Sequence, residues 1–317
     1  KHKLIDILAI VICAVLSDAE GWDEIVEFAE CKETWLKRFL TLDNGIPSAD
    51  TIRRVISRIH PSAFQQSFFP WIEAAFGPHK MQHVAIDGKK SGSSEAAIHI
   101  VSAWAEAQEG VYSDLCLGQV AVADKSNEIT AIPELLKILD LKGALLTIDA
   151  IGCQKDIVEQ IVTENQANYC IAVKANQPEL YQTIVEFFDE HTKNYNIPIM
   201  THETVDNQHG RVEHRRYFTS GDIDWFPCLK DWGTVKSIGM VESWVLNGSK
   251  ESNERRFYIL SIAADAGKFA KAVRSHWGIE NKLHWVLDVA FSEDASKISD
   301  RNAQQNIALI RKMSLNN

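Results

Sequence analysis

Residues 83–92 read HVAIDGKKSG, and residues 144–152 read ALLTIDAIG. Each is an apolar run that meets an aspartate, with Ile86 before Asp87 and Ile148 before Asp149. A carboxylate at the end of a buried strand costs roughly several kcal/mol when it is desolvated without a partner. One such residue is readily explained as a turn former or a helix cap, and Asp87-Gly88 and Asp149 each admit that reading. Two of them invite a joint explanation, because neighbouring carboxylates ionise together cheaply only with a cation between them. Hard divalent cations prefer such oxygen ligands, and Mg²⁺ takes one or two carboxylates while keeping several waters.

The elements around these stretches set the fold class. HVAIDG, AIHIVSAWAE and LCLGQVAVA are three strand-like runs. There follow a helix in SNEITAIPELLKILDL with Ser126 or Asn127 at its cap, a strand in ALLTIDA, and a helix in QKDIVEQIVTENQ. A strand in NYCIAVKA and a helix in QPELYQTIVEFFDEHTK complete the series. The order is β-β-β-α-β-α-β-α. A doubly wound dinucleotide fold alternates from its first strand, and neither a G-x-G-x-x-G nor a Walker A loop is present. The α/β order resembles that of the ribonuclease H-like fold, in which the first and fourth strands lie side by side and their carboxylates meet.

Residues 202–264 break the alternation. HGRVEHRRYFTS, TVKSIGMVESWVL and RRFYILSIAA read as antiparallel strands of an all-β insertion. Arg211 and Arg215 share one face of the first of these, and Arg216 falls on the other. AGKFAKAVRSHWGIENKLHWVLDVAF returns to a helical period, and SKISDRNAQQNIALIRKMSL is a final helix capped near Asp300. At the other end, LIDILAIVICAVLSD and WDEIVEFAECKETWLKRFL are helical. GIPSADTIRRVISRIH follows with Ser48 or Asp50 as N-cap, and Pro61 separates it from PSAFQQSFFPWIEAAF. Short helices joined by tight turns suit a helix-turn-helix module with Arg53, Arg54 and Arg58 on its recognition helix. A solvated basic face on a structural helix fits the same residues.

Composition bounds the function. The 317 residues are 45% hydrophobic and 24% charged, an ordinary globular balance with length for two or three domains. A net charge of −10 excludes a protein whose whole surface binds nucleic acid and leaves room for local basic patches. The six cysteines form no C-x-x-C pair, as expected of free thiols in a reducing cytoplasm. LAIVICAVL is too short to span a bilayer, so no membrane partner is expected. The chain opens Lys-His-Lys without methionine, so trimmed ends are expected.

A third carboxylate is expected from the helix after the insertion. Glu280 lies one turn from His276 and His284 and two turns from Asp288, with Glu293 just beyond. His276, Glu280 and His284 also read as a transition-metal face, or as the solvated side of a core helix. Glu280 and Asp288 are about 12 Å apart along an α-helix axis, so one metal cluster uses only one of them. Glu280 is the choice, and Asp288 is expected to take a basic or backbone partner.

The phrases AIDGK, HIVSAW, KSNEITAIPELL, LLTIDAIGCQ, VKANQ and HWGIENKLHWVLDVAFSED occur in that order. They resemble those of the DDE transposases of the H-repeat-associated insertion-sequence group, over nearly the whole chain. The resemblance implies a ribonuclease H-like core of residues 81–201 completed by 265–317, interrupted by the all-β insertion at 202–264. It also implies an N-terminal helical DNA-binding domain over residues 1–80. The implied activity is divalent-metal-dependent DNA strand cleavage and strand transfer of an insertion-sequence element. Asp87, Asp149 and Glu280 match the catalytic, metal-binding positions, with Mg²⁺ as cofactor and Mn²⁺ able to substitute. Double-stranded DNA, both element ends and target, is the expected partner, bound by a homodimer in the bacterial cytoplasm at the nucleoid. Expected DNA contacts are Arg53, Arg54, Arg58, Lys89, Lys90, Lys125, Lys174, Arg211, Arg215 and Arg274. Related transposases carry Tyr, Arg and Lys around the glutamate where this chain has Val273, His276 and Leu287. The rival expectations are a nuclease of the same fold that cuts without joining, and a domesticated or inactive DNA-binding remnant.

Overall fold

The computed structural model describes residues 1–76, 81–93, 97–106, 114–123, 127–193, 198–208, 211–224, 226–247 and 250–316. The chain begins with helices α1 (Leu4–Leu16), α2 (Trp22–Cys31), the single turn α3 (Glu33–Leu36), α4 (Ala49–Arg58) and α5 (Pro61–Phe76). Strands β1 (His83–Ser91), β2 (Ile98–Ala105) and β3 (Leu115–Ala121) follow. Then come α6 (Glu128–Ile138), β4 (Leu145–Ile148), α7 (Lys155–Thr163), β5 (Asn168–Val173) and α8 (Pro178–Lys193). The next strands are β6 (Met200–Gln208), β7 (Arg211–Ser220), β8 (Ser237–Asn247) and β9 (Lys250–Leu260). Helix α9 (Ala266–Gly278) runs into a π-helical segment (Ile279–His284), α10 (Trp285–Phe291) and finally α11 (Arg301–Leu315).

The β-β-β-α-β-α-β-α order is therefore present, and the fold is mixed α/β. The chain divides into two compact units: Lys1–His79 with Gly88–Asn127 and Ile279–Asn317, and Lys80–Asp87 with Glu128–Gly278. Strand β1 contributes to both.

In the first unit, α1, α2, α4 and α11 enclose an aliphatic core that includes Ile7, Ile10, Val11, Ile52, Ile56, Ile307 and Ile310. Helix α4 starts at Ser48, whose hydroxyl accepts from Thr51 N, and Asp300 caps α11 by accepting from Ala303 N. The last turn of α4 is closed from α11: Asn306 Nδ2 donates to the carbonyls of Ile56 and Ile59 at 2.9 and 3.0 Å. Helix-end carbonyls need such partners when they are removed from water. Strands β2 and β3 pair antiparallel, and α11 packs on β3. The helix expected over residues 22–40 is broken at Lys32, which ends α2 and precedes α3.

In the second unit the strand order is β1-β4-β5-β9-β8-β7-β6. β1 pairs parallel with β4, and β4 with β5, as their helical crossovers require. The remaining strands are antiparallel. The stretch expected to hold three strands holds four, because β6 precedes the first of them. β9 pairs directly with β5, so these strands extend the same sheet. Helix α9 lies across this sheet, with Phe269, Ala270 and Val273 packed on Cys170, Tyr217, Val241, Tyr258 and Leu260. Phe269 sits directly over Gly239 of β8, where a Cβ would come within 2.6 Å of the ring.

Candidate active site

The site is built on a register. Ile86 and Ile148 are paired across the parallel β1–β4 ladder. Asp87 and Asp149 each come next in sequence, so the register sets the two positions side by side. Alternation along a strand places them on one face of the sheet. The Asp-Gly turn reading of Asp87 fails, since β1 runs unbroken through Asp87 and Gly88 to Ser91. The cap reading of Asp149 holds locally. Its Oδ1 accepts from Ile151 N at 3.0 Å and starts the short 3₁₀ turn Ala150–Gly152. Gly152 is needed there, because a Cβ would lie 2.4 Å from Ile148 Cγ2.

Burial pushes the Asp149 carboxyl above its usual value; the Ile151 N–H and the Lys174 charge oppose this, and Glu128 adds to it. A carboxylate whose charge is thus under-compensated is suited to a cation. The oxygen donors of the Asp87–Asp149 pair fit a hard divalent ion in kind. Among the described residues no group of three or more His, Cys, Asp or Glu is close enough to hold a metal ion.

Glu280 is exposed and is the second residue of the π-helical segment. Single π turns are uncommon in α-helices and concentrate at functional sites. His276, four residues earlier, does not join a histidine–glutamate face. Its Nδ1 lies 3.1 Å from Thr147 Oγ1 on β4, and burial lowers its pKa to about 4. Val273 and Leu287 are buried as well. His276 itself is partly buried against β4.

Asp288 takes a basic partner, as expected: Lys89 Nζ donates to its Oδ1 at 2.6 Å. Lys89 also lies 3.3 Å from Glu293 and is 13% exposed. The two carboxylates engage it, which removes it from the expected phosphate contacts and leaves the exposed Lys90. Near this pair, Lys312 is fully buried and donates to Gln119 Oε1 at 2.6 Å.

Comparison with known proteins now decides the family. Residues 79–317 match the family described as "Transposase DDE domain", and residues 1–72 the one described as "DDE_Tnp_1-associated". The chain belongs to the DDE transposase family. It is 42% identical over its full length to "Putative transposase YncI" of Escherichia coli O157:H7, covering 82% of that protein. It is 39% identical to "H repeat-associated putative transposase YhhI" of Escherichia coli K12, again over its full length and 85% of the relative. A shorter match, 53% over 57 residues, covers 18% of this chain and 68% of "Inactive transposase YbfQ" of the same strain.

The basic residues of this DDE transposase fall into distinct surroundings. Arg53, Arg54 and Arg58 are exposed on α4, opposite its buried Ile52 and Ile56, with Arg53 paired to Asp50 at 2.7 Å. Lys174 is exposed just past β5. Arg274 is half exposed and lies 3.6 Å from Asp206. Arg215, expected at a DNA surface, is held instead by Asp206 and Glu213 and is 10% exposed. The strand alternation holds, but that face is the one beneath α9. Lys125 lies outside the described residues, as does the side chain of Arg211.

Sequence reasoning misses Arg256. It sits on β9 with its guanidinium 5.1 Å from the ring centroid of Trp277 on α9, and with Nε and Nη2 at 2.8 and 2.9 Å from the Glu254 carboxylate. The signal is the β5–β9 pairing, a long-range contact that local pattern does not carry.

Proposed function

We propose that this chain cleaves DNA at the ends of an insertion-sequence element and joins them to target DNA, using a ribonuclease H-like core with Asp87, Asp149 and Glu280 as its catalytic carboxylates. The observation that supports the reading is the Ile86–Ile148 register, with an aspartate directly after each of these paired residues of neighbouring strands. The three carboxylates would hold Mg²⁺, for which Mn²⁺ can substitute. A bound divalent ion supplies positive charge to the attacking and leaving oxygens of a phosphodiester. Water is the first attacking group and breaks the phosphorus–oxygen bond at the element end; the freed 3′-hydroxyl then attacks a target phosphodiester.

The protein's own share is placement. The Ile151 N–H fixes one oxygen of Asp149 and the His276–Thr147 contact ties α9 to β4; Glu280, the proposed third carboxylate, stands on the π-helical segment. Arg53, Arg54 and Arg58 bind the element end, and Lys90, Lys174 and Arg274 bind phosphates nearer the carboxylates. Lys125 and Arg211 remain further candidates for the same role. Two copies act on paired ends in the bacterial cytoplasm.

The test is cleavage of a labelled duplex carrying the DNA that borders the gene, with Mg²⁺, with Mn²⁺ and with chelator. Asp87→Asn, Asp149→Asn and Glu280→Gln should each abolish cleavage while leaving DNA binding largely intact. Full activity in any of the three would remove that residue from the site. A second reading, a DNA-binding remnant without catalysis, draws on the relative named as inactive and on the acidic net charge. It predicts metal-independent binding and no cleavage by the unaltered chain.

A further inference from the structure

The register that joins the aspartates continues across two more strands. Ile148 pairs with Ile171, so Asp149 falls beside Ala172 of β5. Ala172 pairs with Tyr258 and Val173 with Phe257, so the next position sets Lys174 beside Arg256 of β9. Residues two apart on a strand share a face. Asp87, Asp149, Lys174 and Arg256 therefore share the face against which α9 packs, with the two cations two residues further along the strands than the aspartates. Tyr258, two residues from Arg256, meets Phe269 of that helix at 5.2 Å between ring centroids. Two carboxylates and, further along the neighbouring strands, two cations thus lie on one face.

The second cation is built into its place. Trp277 lies under the guanidinium of Arg256, and Glu254 holds two of its nitrogens. The side chain is 38% exposed and Glu254 58%, so the partner carboxylate can swing into water and release the planar fork. A guanidinium held over an indole and displaceable from a carboxylate suits bidentate binding of a phosphate. Lys174, exposed beside it, adds a point charge.

We propose that Arg256, positioned by Trp277 and flanked by Lys174, is a phosphate-binding subsite for the DNA backbone running from the Asp87–Asp149 pair along the strand ends. The subsite rests on the DNA-cleaving reading above and gives the sheet extension a role, since strand β9 brings an arginine to the edge of the carboxylates. Glu254 acts as the occupant that DNA displaces.

The experiment is anisotropy of a short fluorescent duplex titrated with the full chain over a series of salt concentrations. Arg256→Ala should weaken binding about tenfold and lower the salt slope by about one. Arg256→Lys should keep the slope and recover part of the affinity. Glu254→Gln, at an exposed position, should tighten binding, and that gain should vanish in the Arg256→Ala background. Unchanged affinity and slope in Arg256→Ala, no tightening in Glu254→Gln, or a gain that survives without Arg256 would each overturn the subsite while leaving the cleavage reading standing. Failure of the unaltered chain to bind the duplex at any salt would overturn both.

Discussion

Lys89 Nζ stands 2.6 Å from Asp288 Oδ1 although 199 residues separate them. The contact ties β1, just past Asp87, to α10, and Glu293 joins it with 1% of its surface exposed. Burial lowers the pKa of the neighbouring Lys312, and the Glu293 charge opposes that shift. Removing one partner of a buried pair leaves the other charge uncompensated, at a cost of about 3 kcal/mol. Glu293→Gln is therefore expected to lower Tm by several degrees, and Asp288→Asn, at a more exposed position, by less. Thermal melts of the two variants check this; equal and small losses would show that the network contributes little.

Asp149 should show the opposite sign. Its folded pKa is raised, so the charged form weighs against folding, and that penalty grows as pH rises through the folded value. Asp149→Asn keeps an oxygen for the Ile151 N–H and removes the charge. In chelator at neutral pH its Tm should rise, even as cleavage is lost. Added Mg²⁺ should stabilise the unaltered chain and leave the variant unchanged. A melt that falls in the variant would mean the charge is already compensated.

His276 gives an acid limit. Its pKa drops from 6.5 to about 4 on folding, so stability is fully present above the unfolded value and is lost as pH falls through the folded one. The sensitive window is pH 6.5 to 4. His276→Gln, which can still bond Thr147, should flatten the melting temperature across that window. An unchanged pH profile would place the acid sensitivity elsewhere.

Much of the core is legible in the sequence because its signals are local. Ile-Asp endings, helix periods and the Ser48 and Asp300 caps lie within a few residues of what they specify. The β1–β4 adjacency comes from the resemblance of the element order to the ribonuclease H-like fold. The π-helical turn does not, since Ile279 to His284 read as a plain continuation of the helical period. Lys89 reads as a free cation in the sequence because its carboxylate partners lie on distant segments, whereas Arg215 has Glu213 two residues away but takes Asp206 from the neighbouring strand. Alternation gives Arg215 its face, but only the placement of α9 shows that face to be buried.

Helix α4 should carry the salt dependence of end binding. Arg54 and Arg58 are one turn apart and exposed, with Arg53 beside them. Replacing all three with Ala should weaken binding to the element end and reduce the salt slope by about two to three. Because the core side of the helix is Ile52 and Ile56, the melt should be nearly unchanged. Undiminished affinity and slope would make α4 a structural helix.

The central claim is that Asp87 and Asp149 meet through a divalent cation, and direct titration of Mn²⁺ by electron paramagnetic resonance tests it most closely. The unaltered chain should remove free Mn²⁺ from solution, and Mg²⁺ should compete. Asp87→Asn and Asp149→Asn, each shown by its melt to be folded, should lose that binding, while Arg256→Ala should retain it. Undiminished Mn²⁺ binding in both aspartate variants would contradict the account.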